Sequence, residues 1–323
     1  MAKRAELHVV FGATGDSGSA VIRELLRQGK RVRAVNRSGK AELPPAVEVV
    51  QADAVDPASA RTAAAGATVV YHCAGVPLPQ WTTHLRPILD GILEAAAAAE
   101  AKLVVVDNVY MYGKVIGPVT ETFPSQPVGP IGRLRADMAE MLLQAHQRGK
   151  VRVAIGRAAD FYGPGVRAAI ANEALFRRAL DGKSVSWPGR LDVPHSLMFV
   201  DDLARSLVVL GEREEALGQI WHLPHAPALT PRQFLHLLFE EARQAHSRIR
   251  SLPSWAIRAA GLVDPTARAF AELRYLFEAP FVMDSSRYQQ IFGGEATSYR
   301  EGIRQTLTSF GFQRRSANWS SSL

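Results

Sequence analysis

The chain has 323 residues, of which 47% are hydrophobic and 21% are charged. This is the composition of an ordinary globular protein, and it excludes a disordered or fibrous chain. The net charge of +7 is spread along the chain without interleaved aromatic residues, so nucleic-acid binding is not indicated. A single cysteine, Cys73, excludes an intramolecular disulfide and a zinc site built from several cysteines.

Apolar stretches in the first half of the chain are too short for a targeting or membrane segment. The run 7–11 is shorter than the apolar part of a signal peptide. The alanine-rich run 95–99 lies between Glu94 and Glu100, whereas a membrane span needs roughly 20 apolar residues. A lone thiol is also typical of a reducing compartment. We therefore expect a cytoplasmic protein that does not contact membranes.

Short β-branched runs alternate with segments of helical periodicity through the first half of the chain. The predicted strands are 7–11, 31–35, 47–50, 68–72, 102–106 and 151–155. Such alternation indicates a parallel sheet covered by helices on both faces. The expected fold class is therefore α/β, a doubly wound sheet of the Rossmann type.

The first predicted strand runs directly into a glycine-rich loop, residues 12–18 (GATGDSG), and then into an amphipathic helix. Glycines at these positions permit a tight turn and a close backbone approach to a pyrophosphate, which the N-terminus of the helix attracts. At the first strand-to-helix junction this pattern predicts dinucleotide binding, and a glycine-rich turn without a ligand is the alternative. Asp16 is interpreted as a cap or first-turn acid of the helix.

The end of the second predicted strand bears on the choice between NADP and NAD. A carboxylate there would accept hydrogen bonds from the adenosine ribose, but the chain has Asn36, Arg37 and Ser38, which favour a 2′-phosphate. We expect NADP, with NAD less favoured; the alternative is that Arg37 is only a solvated surface charge. Asp53 is expected either to accept a hydrogen bond from the adenine amino group or to form a turn. The residues expected at the cofactor are Gly12, Thr14, Gly15, Asp16, Ser17, Gly18, Asn36, Arg37, Ser38, Asp53, Ala54, Ala74, Gly75 and Val76.

The alternation of strands and helices breaks down after residue 156. Prolines divide shorter elements there, among apolar helices near 170–181 and 232–244. One return to the sheet is expected, because a helix beginning at Val200 is followed by a strand-like run at 219–223. We predict a dinucleotide-binding domain of residues 1–156, joined by about 197–224. The smaller substrate-binding region would comprise 157–196 and 225–323.

These motifs together resemble the extended short-chain dehydrogenase/reductase family, the NAD-dependent epimerases and dehydratases. The resemblance extends from residue 7 to about 310. The matching residues are Gly12, Gly15 and Gly18 of the loop, Tyr112-Gly113, Tyr162-Gly163-Pro164-Gly165, and Val200-Asp201-Asp202.

The resemblance implies a catalytic serine, a tyrosine and a lysine, the last two one helical turn apart. In that arrangement the lysine lowers the pKa of the tyrosine, which exchanges a proton with the substrate oxygen. At the matching positions this chain has Asn108, Ile131 and Arg135. A hydrocarbon side chain cannot donate a proton, so the resemblance identifies an atypical member.

Tyr110 is the candidate replacement for the missing proton donor. Side chains alternate along an extended chain, so Tyr110 is expected to point the same way as Asn108. Asn108 would then orient a carbonyl oxygen, and Arg135 would supply the charge that favours the phenolate. The alternative is that Tyr110 is an aromatic residue packed beneath the cofactor, the packing role we also give to Tyr112.

The expected substrate is smaller or less anionic than a nucleotide sugar. Where nucleotide-sugar members of the family have an arginine before the Val-x-Asp signature, this chain has His195, and a neutral imidazole is a poor clamp for a diphosphate. Tyr162, Trp187 and His195 are expected to line the pocket, although a simple turn role for His195 is an alternative. The histidines show no metal-ligand spacing.

Three functions are therefore considered. The first is an NADP-dependent oxidoreductase that acts on a small carbonyl or hydroxyl compound with a non-standard proton donor. The second is a non-catalytic NADP-binding sensor or scaffold. The third is a nucleotide-sugar epimerase or dehydratase. A homodimer through helices 85–99 and 133–148 is a further expectation, because the resemblance implies this contact.

Overall fold

The secondary structure follows the predicted alternation closely in a computed structural model that describes residues 6–244 and 248–312. In chain order the strands are β1 (Leu7–Phe11), β2 (Arg31–Asn36), β3 (Glu48–Gln51), β4 (Val69–His72), β5 (Lys102–Asp107), β6 (Arg152–Arg157), β7 (Asp160–Tyr162), β8 (Val185–Pro188), β9 (Leu197–Phe199), β10 (Gln219–His222) and β11 (Ile249–Leu252). The helices are α1 (Asp16–Arg27), α2 (Pro57–Ala64), α3 (Trp81–Ala98), α4 (Gly129–Gln147), α5 (Glu173–Leu180), α6 (Val200–Glu212), α7 (Pro231–Glu241), α8 (Ser254–Ala260), α9 (Pro265–Leu273), α10 (Ser286–Phe292) and α11 (Tyr299–Ser309).

Seven parallel strands form the central sheet in the order β10-β6-β5-β4-β1-β2-β3. The chain moves outward from β1 through β2 to β3 and then crosses to the other side of β1 for β4. This crossing creates a topological switch point at the carboxyl ends of β1 and β4, where ligands bind in open α/β sheets. The predicted doubly wound Rossmann-type fold is confirmed, and β10 pairs with β6 as the expected return to the sheet.

Two apolar cores lie on the faces of the sheet, because its strands are buried on both sides. One core contains apolar residues of α1 and α6, and α6 packs along α1. The other contains apolar residues of α2, α3 and α4. Buried strands with apolar residues on both faces are typical of parallel sheets. Helix α6 is thus part of the layered structure although it follows residue 156.

A third core lies in the second half of the chain, among α5, α7 and α11. The two-stranded sheets β7-β9 and β8-β11 flank it. Helix α7 begins with a capping box in which Thr230 and Gln233 bond each other's backbone N–H groups. No helix in the described part of the chain combines the length and the apolar character needed to cross a bilayer. The boundaries of a separate substrate-binding region stay a prediction.

Candidate functional site

The loop between β1 and α1 has the geometry of a pyrophosphate cradle. Gly12 has a positive φ of 81°, and a Cβ on it would lie 2.5 Å from the backbone of Ala74. A Cβ on Gly18 would lie 2.2 Å from the carbonyl oxygen of Gly12. Only glycine fits at either position, and the loop places the first N–H groups of α1 at the switch point. These groups suit a dinucleotide pyrophosphate, since a helix N-terminus attracts anions.

The loop after β2 leaves the guanidinium of Arg37 exposed and without a partner among the described residues. The Asn36 Oδ1 atom accepts hydrogen bonds from the Ser38 hydroxyl at 3.0 Å and from the Gly39 N–H at 2.8 Å. The exposed side chain of Arg37 has no hydrogen-bond or ion-pair partner among residues 6–244 and 248–312. Asn36 therefore shapes the loop, while Arg37 is free to bind an anion.

Asp53 and Ala54 form the turn that follows β3. The Asp53 Oδ1 atom accepts the backbone N–H of Val55 at 3.0 Å. Ala54 is buried, and α3 approaches it so closely that a Cβ on Gly91 would lie 1.8 Å from its carbonyl oxygen. The turn is thus held by the hydrogen bond of Asp53 and by the packing of α3 against Ala54, at the carboxyl edge of the sheet.

A loop after β4 places an aromatic side chain beside the predicted catalytic positions. The expected cofactor residues Ala74, Gly75 and Val76 lie in this loop, and the Val76 carbonyl accepts the indole N–H of Trp81 at 2.8 Å. The Trp81 ring stacks on Tyr110 with 5.9 Å between ring centroids. A role for Trp81 in the site was not predicted from the sequence. The feature that could have indicated it is its position at the start of the helix after β4.

Asn108 and Tyr110 lie beyond the end of β5, in a turn. Residues Tyr110–Tyr112 form a 3-10 helix, so the backbone here is not the extended chain on which the alternation of side chains was predicted. The Asn108 Oδ1 atom accepts the Tyr110 N–H at 3.1 Å, and the Tyr110 carbonyl accepts the hydroxyl of Tyr275 at 3.0 Å. Burial raises the pKa of Tyr110 above its usual value; the charge of Asp160 adds to the rise, and Arg135 opposes it. Tyr110 is therefore held as a phenol.

Arg135 belongs to a buried charge network that joins three elements. Its guanidinium donates to the Asp107 Oδ1 atom from Nη2 at 2.5 Å and from Nε at 3.1 Å. The Arg157 Nε atom donates to the other oxygen of Asp107 at 2.9 Å. Burial acts to raise the pKa of Asp107, but the two guanidinium groups outweigh it, and the pKa is lowered. Asp107 thus holds Arg135 in place as an ion-pair partner.

The same network continues to Tyr112. Its hydroxyl accepts a hydrogen bond from the Arg157 Nη1 atom at 2.7 Å and lies 2.5 Å from the Nε2 atom of His222. Tyr112 is fully buried, which agrees with the packing role expected from the sequence. The network thus joins the ends of β5, β6 and β10 through Asp107, Arg157 and His222.

The three expected substrate residues do not lie in one place. Tyr162 and Trp187 are buried in an aromatic core whose members include Phe176 and Phe234. The hydroxyl of Tyr162 and the indole nitrogen of Trp187 have no partner among the described residues. Both side chains are therefore core residues rather than parts of an open surface, because their rings pack against the rings of α5 and α7.

His195, by contrast, is paired with an acid at the carboxyl edge of the sheet. Its Nε2 atom lies 2.8 Å from the Oδ2 atom of Asp160, which begins β7 just after β6. The imidazole packs against Phe277 and Phe281, at centroid distances of 5.2 and 5.9 Å. The turn role considered for His195 therefore does not account for its contacts.

A small cavity lies beside this pair. Its volume is about 260 Å³. The lining residues are Gly113, Lys114, Val115, Tyr275, Leu276, Glu278, Ala279, Pro280 and Phe281. Tyr275 connects the cavity to Tyr110 and Phe281 connects it to His195. Within the described ranges, no group of three or more His, Cys, Asp or Glu residues is placed to hold a metal ion.

Some residues of the site were not singled out from the sequence. Asp107 ends β5 and Asp160 follows the end of the neighbouring parallel strand β6, and carboxylates at that edge are a usable signal. Arg167 gives no such signal, although its Nη2 atom donates to the Thr14 carbonyl at 2.8 Å across 153 residues of chain. Long-range contacts of this kind depend on the tertiary fold alone.

Solved structures with a similar fold include nucleotide-sugar enzymes. A double mutant of DesIV, a dTDP-glucose 4,6-dehydratase from Streptomyces venezuelae, matches with a TM-score of 0.77 at 20% identity, over 96% of this chain and 98% of that one. A UDP-glucose 4-epimerase from Thermotoga maritima matches with a TM-score of 0.76 at 20% identity, over 94% of this chain and 98% of that one. At these identities the likeness shows the fold alone.

Comparison with curated sequences and with a family model identifies the relationship. The uncharacterized protein y4nG of Sinorhizobium fredii is 25% identical over 252 residues, which cover 76% of this chain. The chain spans only 62% of the length of that relative. The model of the NAD dependent epimerase/dehydratase family matches residues 8–223, which is more than half of the chain. This protein therefore belongs to the NAD-dependent epimerase/dehydratase family.

Proposed function

We propose that this protein binds NADP and acts as an oxidoreductase on a small carbonyl or hydroxyl compound. The observation that carries the proposal is the glycine cradle at the switch point, with the exposed Arg37 at the end of the neighbouring strand β2. Residues 12–18 would hold the pyrophosphate, and Arg37 with Ser38 would hold a 2′-phosphate. When bound, the dinucleotide supplies or accepts a hydride.

The preference for NADP rests on the charges at the end of β2. No carboxylate stands at positions 36–38 to accept from ribose hydroxyls, and Asn36 is already engaged in its own loop. A guanidinium without another partner forms strong charge-assisted hydrogen bonds with a phosphate. The similar structures of DesIV and MoeE5 contain NAD, so the phosphate preference is the feature of this chain that needs a direct measurement.

We predict that the protein binds NADP at least about tenfold more tightly than NAD, since a charged hydrogen bond contributes about 1.5–3 kcal/mol. Arg37→Ala should remove most of that preference without weakening NAD binding. Arg31→Ala is the matched control, because Arg31 is exposed at the opposite end of the same strand. Isothermal titration calorimetry of the three proteins with both dinucleotides measures the effect. Equal affinities of the unaltered protein for NADP and NAD would contradict the assignment.

We base the proposed substrate class on the volume of the small cavity and on the pairing of His195 with Asp160. A cavity of about 260 Å³ is smaller than the pockets that take most drug-sized ligands, and a nucleoside diphosphate sugar exceeds it. His195 is paired with Asp160, and an imidazole lacks the forked guanidinium donors that bind a diphosphate in a bidentate manner. These features favour a small, uncharged carbonyl compound.

Nucleotide-sugar conversion is the second candidate, and the dehydratase and epimerase structures of the same fold favour it. Incubation with dTDP-glucose and UDP-glucose, followed by NMR of the sugar, tests it; we expect no product. A non-catalytic NADP sensor would bind NADP but oxidise no NADPH with any carbonyl compound. Dinucleotide binding and turnover therefore separate all three functions.

A homodimer through α3 and α4 is part of the proposal. The outward faces of these helices carry charged side chains, including the Arg86–Asp90 ion pair at 2.9 Å and the exposed Arg133, Asp137 and Glu140. Opposite charges on both helices allow a polar four-helix contact. We predict twice the monomer mass in light scattering at micromolar concentration, and a shift toward the monomer in high salt because screening weakens such contacts. A monomeric mass at low salt would remove the dimer.

A further inference from the structure

Asp160 and His195 form a carboxylate–imidazole pair at the open edge of the sheet. The two side chains are 17% and 5% exposed, and the Nε2 and Oδ2 atoms are 2.8 Å apart. We propose that this pair is the proton-transfer dyad of the protein, with His195 as the general acid and base that contacts the substrate oxygen and Asp160 as its positioning residue. The proposal rests on the proposed oxidoreductase function.

The position of Asp160 in the fold favours this role. It follows β6, on the side of the switch point occupied by β4, β5 and β6. Arg37 lies at the end of β2, on the opposite side, where the adenosine half is assigned. A dinucleotide that spans the crevice from Arg37 would place its nicotinamide half over the β4–β6 side. The dyad therefore lies on the half of the crevice where hydride transfer would take place.

The orientation of His195 is fixed by its backbone and by neighbouring rings. Its N–H donates to the Leu229 carbonyl at 2.9 Å, and the N–H of Ser196 donates to the Phe281 carbonyl at 2.9 Å. The imidazole also contacts the rings of Phe277 and Phe281, which are tilted to it by 38° and 44°. With the Nε2–H donated to Asp160, the proton to be transferred belongs to Nδ1.

The Nδ1 atom of His195 remains available to a substrate. No described residue forms a hydrogen bond with it, and unlike the indole nitrogen of Trp187 it is not sealed within the core. A carboxylate on the far nitrogen orients the ring and stabilises the imidazolium. Imidazole is the most frequent general acid and base in enzymes, whereas burial holds Tyr110 as a phenol of raised pKa.

The proton step balances for carbonyl reduction. The His195 imidazolium gives its Nδ1 proton to the carbonyl oxygen as hydride from the reduced dinucleotide adds to the carbonyl carbon. One C–H and one O–H bond form, the C=O π bond breaks, the imidazole becomes neutral, and the dinucleotide is oxidised. In the reverse direction, neutral His195 accepts the hydroxyl proton as the alcohol is oxidised.

The neighbouring cavity indicates which carbonyl compounds fit. Val115, Tyr275, Leu276 and Phe281 give it apolar and aromatic walls. A small aromatic aldehyde or diketone matches these walls, because aromatic side chains favour stacked and edge-on contacts with a ring. We therefore choose 4-nitrobenzaldehyde and 1-phenyl-1,2-propanedione as probes.

An NMR experiment tests the dyad without a known substrate. The full-length protein labelled with ¹⁵N-histidine is titrated with NADP⁺ and, separately, with adenosine 2′,5′-bisphosphate, which represents the adenosine half alone. His195→Gln assigns the His195 signals. We expect neutral His195 to be protonated on Nε2, with ring nitrogen shifts that respond to NADP⁺ and not to the bisphosphate. Asp160→Asn should abolish the tautomer preference.

Either of two NMR results would overturn the dyad. One is a His195 ring protonated on Nδ1 in its neutral form. The other is a ring that does not respond to NADP⁺ although calorimetry shows saturation. If calorimetry detects no dinucleotide binding, the proposed function fails instead, so the two failures are distinguishable.

Kinetics provide the second readout wherever the unaltered protein oxidises NADPH with either probe. His195→Gln should lower kcat by roughly 10²–10⁴-fold with little change in the KM for NADPH, as for a lost general acid. Asp160→Asn should lower kcat and displace the pH profile. His236→Gln, which alters an exposed histidine of α7, is the matched control and should leave both unchanged. A His195→Gln protein with unaltered kcat and pH profile overturns the proposal.

Discussion

At the scale of single residues, the guanidinium of Arg135 determines what the neighbouring groups do. A guanidinium is always charged in proteins and forms paired hydrogen bonds with a carboxylate. Two guanidinium nitrogens of Arg135 donate to the Oδ1 atom of Asp107, and Arg157 donates to the Oδ2 atom. The charge of Arg135 is therefore directed to Asp107, and it does not overcome the effect of burial on Tyr110.

Tyr110→Phe separates the two candidate proton donors. Because the ring stacks on Trp81 and the hydroxyl is held as a phenol, we expect turnover within a few-fold of the unaltered protein and at most about 1 kcal/mol of lost stability. NADPH oxidation with the two carbonyl probes measures turnover. A loss of roughly 10²-fold or more at unchanged NADP affinity would instead assign proton donation to Tyr110.

At the scale of elements, the loop after β7 fastens the second half of the chain to the glycine loop. The Asp16 Oδ2 atom accepts the backbone N–H groups of Arg167 at 3.0 Å and Ala168 at 2.8 Å. Arg167 in turn holds the Thr14 carbonyl, and Arg23 of α1 pairs with Asp201 of α6 at 2.7 Å. Asp16 thus joins two loops in addition to starting its helix.

This connection predicts an effect on cofactor affinity. Arg167→Ala should weaken dinucleotide binding by about tenfold, because it frees the glycine loop and removes a positive charge beside the pyrophosphate cradle. Arg177→Ala is the control. Arg177 is exposed on α5, and its guanidinium pairs with Glu173 of the same helix and lies over the ring of Phe310. Calorimetry with NADP measures the affinity of both variants. An unchanged affinity of Arg167→Ala would show that the contact between Arg167 and the glycine loop does not support dinucleotide binding.

At the scale of the whole molecule, several histidines are buried without charge. Burial lowers the pKa of His8 and His222 to about 4, and burial with the charge of Arg135 lowers the pKa of His72 to about 3. In the unfolded chain a histidine ionises near pH 6.5. Between about pH 6.5 and 4 the unfolded chain binds more protons than the folded one. Stability that is present above pH 6.5 is therefore lost as the pH falls through this window.

We predict that the free energy of unfolding falls by about 1.4 kcal/mol for each of these histidines per pH unit within the window. His8→Phe should reduce that slope by about one proton, because it keeps the ring beside Tyr71 and removes one titrating group. His84→Gln, at an exposed position of α3, is the control. Urea unfolding at pH 7, 6 and 5 measures the slopes. Identical slopes for His8→Phe and the unaltered protein would contradict the assignment.

The sequence by itself determined the layered architecture and the cofactor loop. Strands such as 7–11 and 102–106 could be located because buried parallel strands are short apolar runs, and the helices because their apolar residues recur every three or four positions. The glycine loop was readable for the same reason, since its conformation depends on a few adjacent residues. These local signals also carried the family resemblance, which the family model confirms.

Only the tertiary structure decided which side chains meet. Asp160 and His195 are 35 positions apart, and Thr14 and Arg167 are 153 positions apart. No periodic pattern in the sequence relates either residue to its partner. Their pairing depends on which strand ends converge at the carboxyl edge of the sheet and on how the second half of the chain packs there. Burial was decided at the same level. Tyr162 begins a recognisable motif, but its aromatic neighbours from α5, α7 and α11 enclose it in a core.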